Sequence, residues 1–527
     1  MQRRAFIGSA LGAGAFALAG CDASRTIAGG FTGIDVARGH ALRDGVLRAA
    51  TPSSVQRTRV LIAGGGVAGL AAARALRAKG VDDFVLLELE DTAGGNSRGG
   101  MVEGIACPLG AHYLPVPGDD AHEVQDLLEE LGLRRRVAGR WAYDERHLCH
   151  SPQERLFFQG EWHDGLLPVQ GVGADTLTQY RRFAQRVEAL QQTLRFAIPA
   201  LRAPTTPASL ALDAMTFAQW LDAEGLSDAH LRWYLEYCCR DDYGAGVAQV
   251  SAWAGIHYFA SRHGFHAPGD ENADRDAVLA WPEGNGWLTQ RLAAPLGERL
   301  RTGQVVTRIA ETRDGVEVDV FDVATKALVR WQAERCIVAL PVFIAARVVE
   351  NPPALLRRAA SALQYAPWLV ANVHLDAPLA DRPGAAPSWD NVVYGSRGLG
   401  YVDARHQTLD PTPRATVLTW YRPLGPSSFD GADGRRQLLD QPWSAWRDAL
   451  LAELSVPHPD LAERATRIDI TRYGHAMAIP TPRLRAQLGH EATVVAGRLA
   501  FAHADWSGYS IFEEAFTRGH LAGVAST

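Results

Sequence analysis

The chain has 527 residues, of which 47% are hydrophobic, so it can bury a large core and divide into two domains. Its formal net charge of -6 argues against a nucleic-acid partner. Apart from Cys21, the cysteines are Cys107, Cys149, Cys238, Cys239 and Cys336. They are odd in number and irregularly spaced, and the histidines show no metal-ligand spacing, so we expect neither a disulfide framework nor a metal site.

The first residues of the chain predict export. Arg3 and Arg4 form a twin-arginine start, and a mild apolar segment of small residues follows at 8–20. That segment is too short and too glycine-rich for a membrane span, which needs about twenty apolar residues. We expect a twin-arginine signal peptide over 1–21, the twin-arginine export machinery as a partner, and a periplasmic or cell-envelope location.

The end of the signal bears on membrane attachment. Leu18-Ala19-Gly20-Cys21 resembles the lipobox of bacterial lipoproteins, in which Cys21 would be acylated and become the mature N-terminus. Plain cleavage nearby is the alternative. We favour lipidation, which would anchor the protein to the membrane.

Residues 22–56 lack clear periodicity and are rich in Gly, Ala, Arg and Ser, so we predict a linker there and a fold that begins at 57.

A dinucleotide-binding turn is predicted near the start of the fold. An aliphatic run at 60–63 meets Gly64, Gly66 and Gly69 at G-x-G-x-x-G spacing, and an alanine-rich helical segment follows. The first glycine permits the turn, the second lets backbone approach a pyrophosphate, and the third lets helix pack on strand. Glu88 ends the next aliphatic run, about twenty residues on, where an acid that binds a ribose is expected. An ordinary glycine-rich turn is the alternative, and the motif alone leaves NAD and FAD both open.

A second glycine loop narrows the choice of cofactor. Gly94 and Gly95 lie in a polar, glycine-dense stretch a few residues after Glu88. With the turn and the acid, this loop resembles the FAD-binding entry of the flavin amine oxidase and phytoene desaturase superfamily. Members of that superfamily commonly carry arginines where this chain has Glu90 and Asn96, and Arg98 is the candidate substitute.

The resemblance implies an α/β fold, with a Rossmann-like FAD-binding domain of the amine oxidase type and an interleaved α+β substrate or cap domain. The FAD-binding domain would comprise 57–115, 282–342 and 485–527. The cap would comprise 116–281 and 343–484.

The resemblance also implies further cofactor contacts. Val305, or its neighbour Val306, would lie near the adenine through backbone contacts. In the tail, a strand would enter a helix whose N-terminus supports the flavin ring, with Ser507 and Gly508 at the entry and Asp505 binding the ribityl chain or capping the turn.

No cysteine stands at 472–477, where some family members attach FAD, so the cofactor is expected to be held noncovalently.

Three residues are catalytic candidates. Tyr509 matches a tyrosine that in amine oxidases forms one wall of an aromatic cage over the flavin; simple packing is the alternative. His475 is the only nearby side chain with a pKa suited to proton transfer near neutrality, although a lone histidine beside glycine is more often structural. Asn372 would present an amide to the flavin or to a water. It lies on the strand where many amine oxidases carry a lysine.

That lysine is linked to oxygen reactivity, and this chain has no lysine from 328 onward, so an acceptor other than dioxygen is expected.

An acidic pair stands at the end of a predicted apolar helix. Asp241 and Asp242 could attract a cationic amine. Paired acids at a helix end beside Arg240 are more often solvated or salt-bridged, and we favour that structural interpretation.

These features predict an exported FAD-dependent oxidoreductase that oxidises a small organic substrate, an amine by preference, through hydride transfer to flavin N5. The electron acceptor stays open. One alternative is C–C desaturation with a non-oxygen acceptor, and another is a noncatalytic flavin-binding or electron-transfer protein.

Overall fold

The computed structural model describes residues 26–48, 51–149, 153–265, 267–268, 277–408, 412, 414–489, 491 and 494–527. The predicted signal peptide, Cys21 included, lies outside these ranges. Within them, no helix is both long enough and apolar enough to cross a membrane.

The first half of the chain carries short strands. They are β1 (Ala28–Phe31), β2 (Ser54–Ala63), β3 (Phe84–Leu87), β4 (Gly99–Val102), β5 (Ile105–Pro108), β6 (Tyr113–Pro115), β7 (Arg134–Val137), β8 (Arg140–Tyr143), β9 (Leu148–Cys149), β10 (Glu154–Phe158) and β11 (Glu161–Asp164). Longer strands dominate the second half. They are β12 (Val278–Ala280), β13 (Leu300–Arg301), β14 (Gln304–Glu311), β15 (Val316–Asp322), β16 (Ala327–Val338), β17 (Gln364–Leu375), β18 (Asp390–Val393), β19 (Tyr401–Asp403), β20 (Thr416–Pro423), β21 (Ala465–Ile479), β22 (Val494–Ala496) and β23 (Leu499–Phe501).

The helices of the first half are α1 (Val36–Arg43), α2 (Val67–Ala78), α3 (His122–Glu130), α4 (Ala174–Thr193), α5 (Pro207–Asp213), α6 (Phe217–Ala223), α7 (Ala229–Tyr243) and α8 (Ala252–Tyr258). Those of the second half are α9 (Gly286–Ala293), α10 (Val342–Val348), α11 (Ala354–Ala362), α12 (Gly434–Asp440), α13 (Trp443–Leu454), α14 (Leu461–Arg464), α15 (Leu484–Leu488) and α16 (Phe512–Ala525).

One sheet has the order β13-β3-β2-β16-β15-β14, with β23 also paired to β16 and β22 to β23. Strands β13, β3, β2, β16 and β23 run parallel, as expected for strands joined by helical crossovers. The buried run at the end of β2, 60–63, is apolar on both faces because apolar clusters cover the sheet on each side. The predicted α/β class is confirmed by this sheet.

A second sheet forms the floor of the cap, in the order β1-β21-β17-β20-β19-β18-β10-β11. Most of its neighbours are antiparallel, but β1 pairs in parallel with β21 and β10 with β18. One face packs against the helical part of the cap in a large aromatic core, and the other packs against α13 and α14. The cap sheet therefore separates two packed layers.

Part of the predicted linker is folded, so the prediction of a linker over the whole of 22–56 is wrong. Strand β1 pairs residue by residue with β21, from Ala28 opposite Arg467 to Phe31 opposite Ile470. Helix α1 follows, and the Asp35 side chain caps it by accepting the Arg38 N–H at 3.1 Å. A four-residue strand of small residues is too short to show alternation, which is why composition concealed it.

The first and last helices of the nucleotide-binding part pack closely. Helices α2 and α16 meet through small residues: a Cβ on Gly519 would overlap the carbonyl oxygen of Ala68, and one on Gly523 would lie 2.7 Å from that of Ala72. Only glycine permits this backbone approach.

Substitution Gly519→Ala is expected to lower the free energy of unfolding by about 2 kcal/mol, because the added methyl group overpacks the α2–α16 contact. Urea denaturation followed by circular dichroism measures this. The matched control is Gly39→Ala in α1, where a Cβ meets no atom within 4 Å, so stability should be unchanged or slightly raised. Equal stability of the two variants would contradict the close-packing argument.

Candidate functional site

The turn between β2 and α2 has the geometry that its glycines predict. Gly64 adopts φ +103°, and a Cβ there would overlap the carbonyl oxygen of Ala339. A Cβ on Gly69 would overlap the carbonyl oxygen of Gly64, so this glycine lets α2 sit tightly on its own turn. Gly66 is the N-cap of α2 and makes no side-chain cap, which leaves the first amides of the helix for a ligand.

The second glycine loop packs directly on this turn. The Gly94 N–H donates to the carbonyl oxygen of Gly65 at 2.8 Å. Gly94 and Gly95 have φ of +126° and +57°, a region that favours glycine, and a Cβ on Gly95 would lie 3.2 Å from the Gly66 Cα. The two loops therefore form one continuous backbone surface.

Glu88 ties the loops together. Its carboxylate accepts the Gly65 N–H at 2.7 Å and the Glu90 N–H at 2.9 Å. Burial raises its pKa, and the two backbone donors oppose that rise. Arg98 lies nearby, with Nη1 3.8 Å from the Glu90 carboxylate and Nε donating to the Gly95 carbonyl oxygen at 3.2 Å.

A cavity of about 450 Å³ runs along this surface into the cap. It brings together eight of the residues predicted from sequence. These are Gly64, Gly66, Glu88, Gly94, Gly95, Arg98, His475 and Asp505. Six others do not line it: Gly69, Val305, Asn372, Ser507, Gly508 and Tyr509.

Val305 is displaced from the cavity by strand alternation. Gln304 and Val306, its neighbours on β14, line the cavity, whereas the Val305 side chain is fully buried in an apolar cluster. The sequence could not choose between Val305 and Val306, and the structure places Val306 at the wall.

The C-terminal helix starts later than the sequence indicated. Residues Ala504–Ser507 form a short 3₁₀ turn, and α16 begins at Phe512 with Ile511 as its N-cap. Ser507 instead holds the turn, since its hydroxyl donates to Glu514 at 2.6 Å. Ile511 and Phe512 line the cavity, so the helix N-terminus still reaches it.

Asp505 is fixed at the cavity wall by backbone and side chain. It accepts the Val342 N–H at 2.8 Å and the Tyr365 hydroxyl at 2.6 Å. Burial acts to raise its pKa, but the interactions with His503, Tyr365 and Val342 together hold the pKa below the ordinary value. Asp505 is therefore a carboxylate at the cavity wall.

His475 lines the cavity without the predicted acid–base character. Its ring stacks on Phe343 at 4.3 Å between centroids. Burial lowers its pKa to about 4, and Arg435 adds to the effect. The imidazole is neutral near pH 7, so the expectation of a pKa suited to proton transfer near neutrality does not hold.

Asn372 and Tyr509 do not line the cavity, and their side chains make hydrogen bonds elsewhere. Asn372 donates to the Pro108 carbonyl oxygen at 3.0 Å and accepts the Thr419 hydroxyl at 2.7 Å. It shares a strand face with Trp368 and Val370, which do line the cavity, but lies too far along the strand. Tyr509 is 1% exposed and donates to Asp242 at 2.9 Å, so it supports the acid rather than forming a wall.

Aromatic rings that sequence reasoning missed form the cap end of the cavity. Trp368 and Tyr421 meet edge to face with 6.4 Å between centroids, and His112 lies 4.4 Å from Tyr421. Burial lowers the pKa of His112 to about 3, so this ring is neutral as well. Alternation along β17 was the available signal, since Trp368 and Val370 share one face.

The acidic pair also reaches the cavity. Asp241 and Asp242 occupy the last turn of α7, which ends at Gly244 with φ +68°. The Arg262 guanidinium lies 3.8 Å from Asp242 and 3.5 Å from Glu513, so Asp242 has a salt bridge but with a different arginine from the expected Arg240.

Asp241 has a raised pKa. Burial raises it to about 7, with the charge of Asp242 as the next cause. Arg240 points away: it donates to the Arg397 carbonyl oxygen and lies over the Phe429 ring at 4.5 Å. Asp241 is half-buried at the cavity and, within the described part of the chain, has no salt bridge to Arg240 within 4 Å.

The residues along the cavity suit the parts of FAD. Glu88 and Gln304 line the part where an adenosine ribose would bind, and the uncapped start of α2 faces the pyrophosphate position. Asp505 and the start of α16 line the part that would hold the flavin ring. The described cysteines are buried and none of them lines the cavity, so noncovalent binding stays a prediction.

Fold and site together define an FAD-dependent oxidoreductase with a separate substrate cap. The sequence model of the family described as flavin containing amine oxidoreductase matches residues 67–523, and the chain belongs to that family.

Relatives agree with this assignment. The chain is 26% identical over 493 residues to an L-amino acid dehydrogenase of Synechocystis sp., covering 88% of this chain and 94% of the relative. It is 23% identical to a probable flavin-containing monoamine oxidase A of Dictyostelium discoideum, covering 57% and 60%.

Solved structures show the same fold. Putrescine oxidase bound to putrescine aligns with a TM-score of 0.68 at 17% identity, covering 89% of this chain and 99% of that one. Cyclohexylamine oxidase from Brevibacterium oxydans aligns with a TM-score of 0.62 at 19% identity, covering 89% and 98%.

Substitution Glu88→Gln is expected to weaken FAD binding at least tenfold. The Glu88 carboxylate accepts the Gly65 and Glu90 N–H groups with one oxygen each. A glutamine amide has only one acceptor oxygen and no negative charge. Quenching of FAD fluorescence in a titration measures the affinity. The control is Glu298→Gln, an exposed side chain outside the cavity. If both variants bind FAD like the parent, Glu88 does not organise the site.

Proposed function

We propose that this enzyme oxidises the C–N bond of a small amine, amino acids included. The observation that carries the proposal is the acidic end of the cavity, where Asp241 and Asp242 lie beside the aromatic rings. A negative, partly desolvated wall attracts an ammonium group. The relatives support this by name, since they include an L-amino acid dehydrogenase and a putrescine oxidase.

Charge at this end of the cavity favours a cation. Arg262 is shared by Asp242 and Glu513, which offset its positive charge. Ionised Asp241 therefore adds a further negative charge. In the described part of the chain, no arginine, lysine or histidine forms a salt bridge with Asp241 within 4 Å. Tyr509 and Arg262 hold Asp242 in place, and the Trp368 and Tyr421 rings add apolar surface to the same cavity.

Asp241 is the proposed proton acceptor. An ammonium nitrogen has no lone pair to assist loss of hydride from the neighbouring carbon, so the substrate must first lose a proton. With a pKa of about 7, ionised Asp241 takes that proton in the physiological range. FAD held in the cavity supplies the two-electron acceptor for the hydride equivalent, and the C–N single bond becomes C=N.

The proposed final acceptor is not dioxygen. Val370 and Trp368 line the cavity on β17, the strand where a family lysine was expected, and the chain has no lysine from 328 onward. The name of the Synechocystis relative, a dehydrogenase, supports the same view.

Anaerobic mixing of the FAD-loaded protein with monoamines, diamines and L-amino acids tests the function. Loss of flavin absorbance with a member of this panel is expected. A dye acceptor should then restore the absorbance much faster than air. Bleaching by polyenes alone would establish desaturation instead, and bleaching by no compound would favour the noncatalytic alternative.

Substitution Asp241→Asn is expected to lower kcat/KM at least 100-fold. Because the raised pKa keeps Asp241 protonated below about pH 7, activity of the parent should rise as pH increases through that value. The variant should lack this rise. Asp175→Asn, on the exposed start of α4, serves as control. An unchanged pH profile in Asp241→Asn would exclude Asp241 as the acceptor.

We further propose that the enzyme is exported and lipid-anchored in the cell envelope. The support is the twin-arginine start and the Cys21 motif in the sequence. In a bacterial host, the full chain should appear in the membrane fraction and incorporate labelled palmitate. Cys21→Ala should abolish the label, and replacing Arg3 and Arg4 by lysines should block export. Unlabelled, soluble parent protein would contradict anchoring.

A further inference from the structure

A second cavity, of about 270 Å³, lies on the cap sheet away from the FAD cavity. Strand alternation shows that it occupies the opposite face: Trp368 and Val370 of β17 line the FAD cavity, whereas Leu375 of the same strand lines the second one. On β20, Tyr421 lines the FAD cavity and Leu418 lines the second cavity. The proposed amine oxidation uses none of this second cavity.

The second cavity contains a buried, uncompensated positive charge. Arg155 is 5% exposed and lines the wall. Its Nε donates to Asn391 at 2.6 Å and its Nη1 to the Ala385 carbonyl oxygen at 3.1 Å, and the guanidinium lies 3.9 Å over the Trp162 ring. These partners are neutral, and within the described ranges no carboxylate lies within salt-bridge distance of Arg155. Burying a charge without a counter-ion is costly.

Neutral polar groups stand beside this charge. His458 contacts the Tyr401 hydroxyl through Nε2 at 2.7 Å, and its buried Nδ1 has no hydrogen-bond partner among the residues that the structure describes. Burial lowers the pKa of His458 to about 4. The positive charges of Arg155 and Arg382 add to the effect, and the negative charge of Asp460 opposes it. The Trp162 Nε1 is likewise buried with no partner.

Arginines outnumber acids among the described residues that line the cavity. Arg155, Arg382, Arg405 and Arg414 line it together with Asp381 and Asp403. Asp403 is engaged locally, since it accepts the Arg405 N–H at 3.0 Å. A guanidinium group pairs best with a planar or tetrahedral oxyanion that accepts two hydrogen bonds at once.

We propose that this cavity binds a small oxyanion, either inorganic phosphate or a short dicarboxylate. Arg155 at the base and Arg382 at the side supply the charge. A site of this kind lies across the cap sheet from the substrate, so the anion does not compete with the amine.

Calorimetric titration of the FAD-loaded protein at fixed ionic strength tests the proposal, with phosphate in one arm and malonate in the other. Saturable binding of one molecule per chain is expected in at least one arm, and the tighter arm identifies the anion class. Sodium chloride at matched ionic strength should give no such binding. Absence of saturable binding in both arms would overturn the proposal.

Variants assign the binding to this cavity. Arg155→Met should weaken it at least tenfold, and Arg382→Ala, on a half-buried side chain, should weaken it several-fold. The control Arg436→Ala, on exposed α12, should bind like the parent. If Arg155→Met does not fold, the affinity of Arg382→Ala tests the assignment. The rise in melting temperature that the anion causes in the parent protein is then the second measurement. Parent-like affinity in Arg382→Ala and in any folded Arg155→Met would overturn the assignment.

Discussion

The carboxylate of Glu88 is the contact on which the cofactor site depends. It accepts one N–H from the glycine turn and another from the chain after β3, so one side chain fixes the spacing of two loops. The Gly94 loop then closes on the same turn through a backbone hydrogen bond. Because these loops are held by backbone groups and one acid, the wall they form is set by the fold and not by flexible side chains.

The cap sheet extends this rigidity to the substrate end. One face of the sheet carries Trp368, Val370 and Tyr421 toward the FAD cavity, and the other face packs against α13 and α14, so the same backbone positions two separate layers. Helix α7 supplies Asp241 and Asp242 from the helical layer, and the Tyr509 hydroxyl links Asp242 to the segment before α16. The acidic end of the cavity is therefore assembled from the cap helix and the tail of the nucleotide-binding part.

The nucleotide end of the site could be predicted from the sequence because its physics is local. Gly64, Gly66 and Glu88 lie within 25 residues, and each acts through backbone geometry that a spacing pattern reveals. The substrate end could not be predicted so well. Trp368, Tyr421 and Asp241 come from distant elements, and their meeting depends on register and on helix placement.

The errors had the same origin. Asn372 lies on the same strand face as Trp368 and Val370 but beyond the cavity. The prediction named Val305 or Val306, and only Val306 lines the cavity, because alternation reverses the face at each residue. The predicted linker contains strand β1, which forms only by pairing with β21, more than 400 residues away in the sequence.

The contact between α2 and α16 also sets a limit on the order of folding. Helix α2 follows the first turn of the nucleotide site, whereas α16 comes more than 400 residues later, and Ile511, Phe512 and Ala515 form part of the cavity wall. During synthesis the first half of the site must wait for α16 to leave the ribosome. At about 5–20 residues per second, that delay is tens of seconds. The glycine turn and α2 are therefore made long before the helix that packs against them.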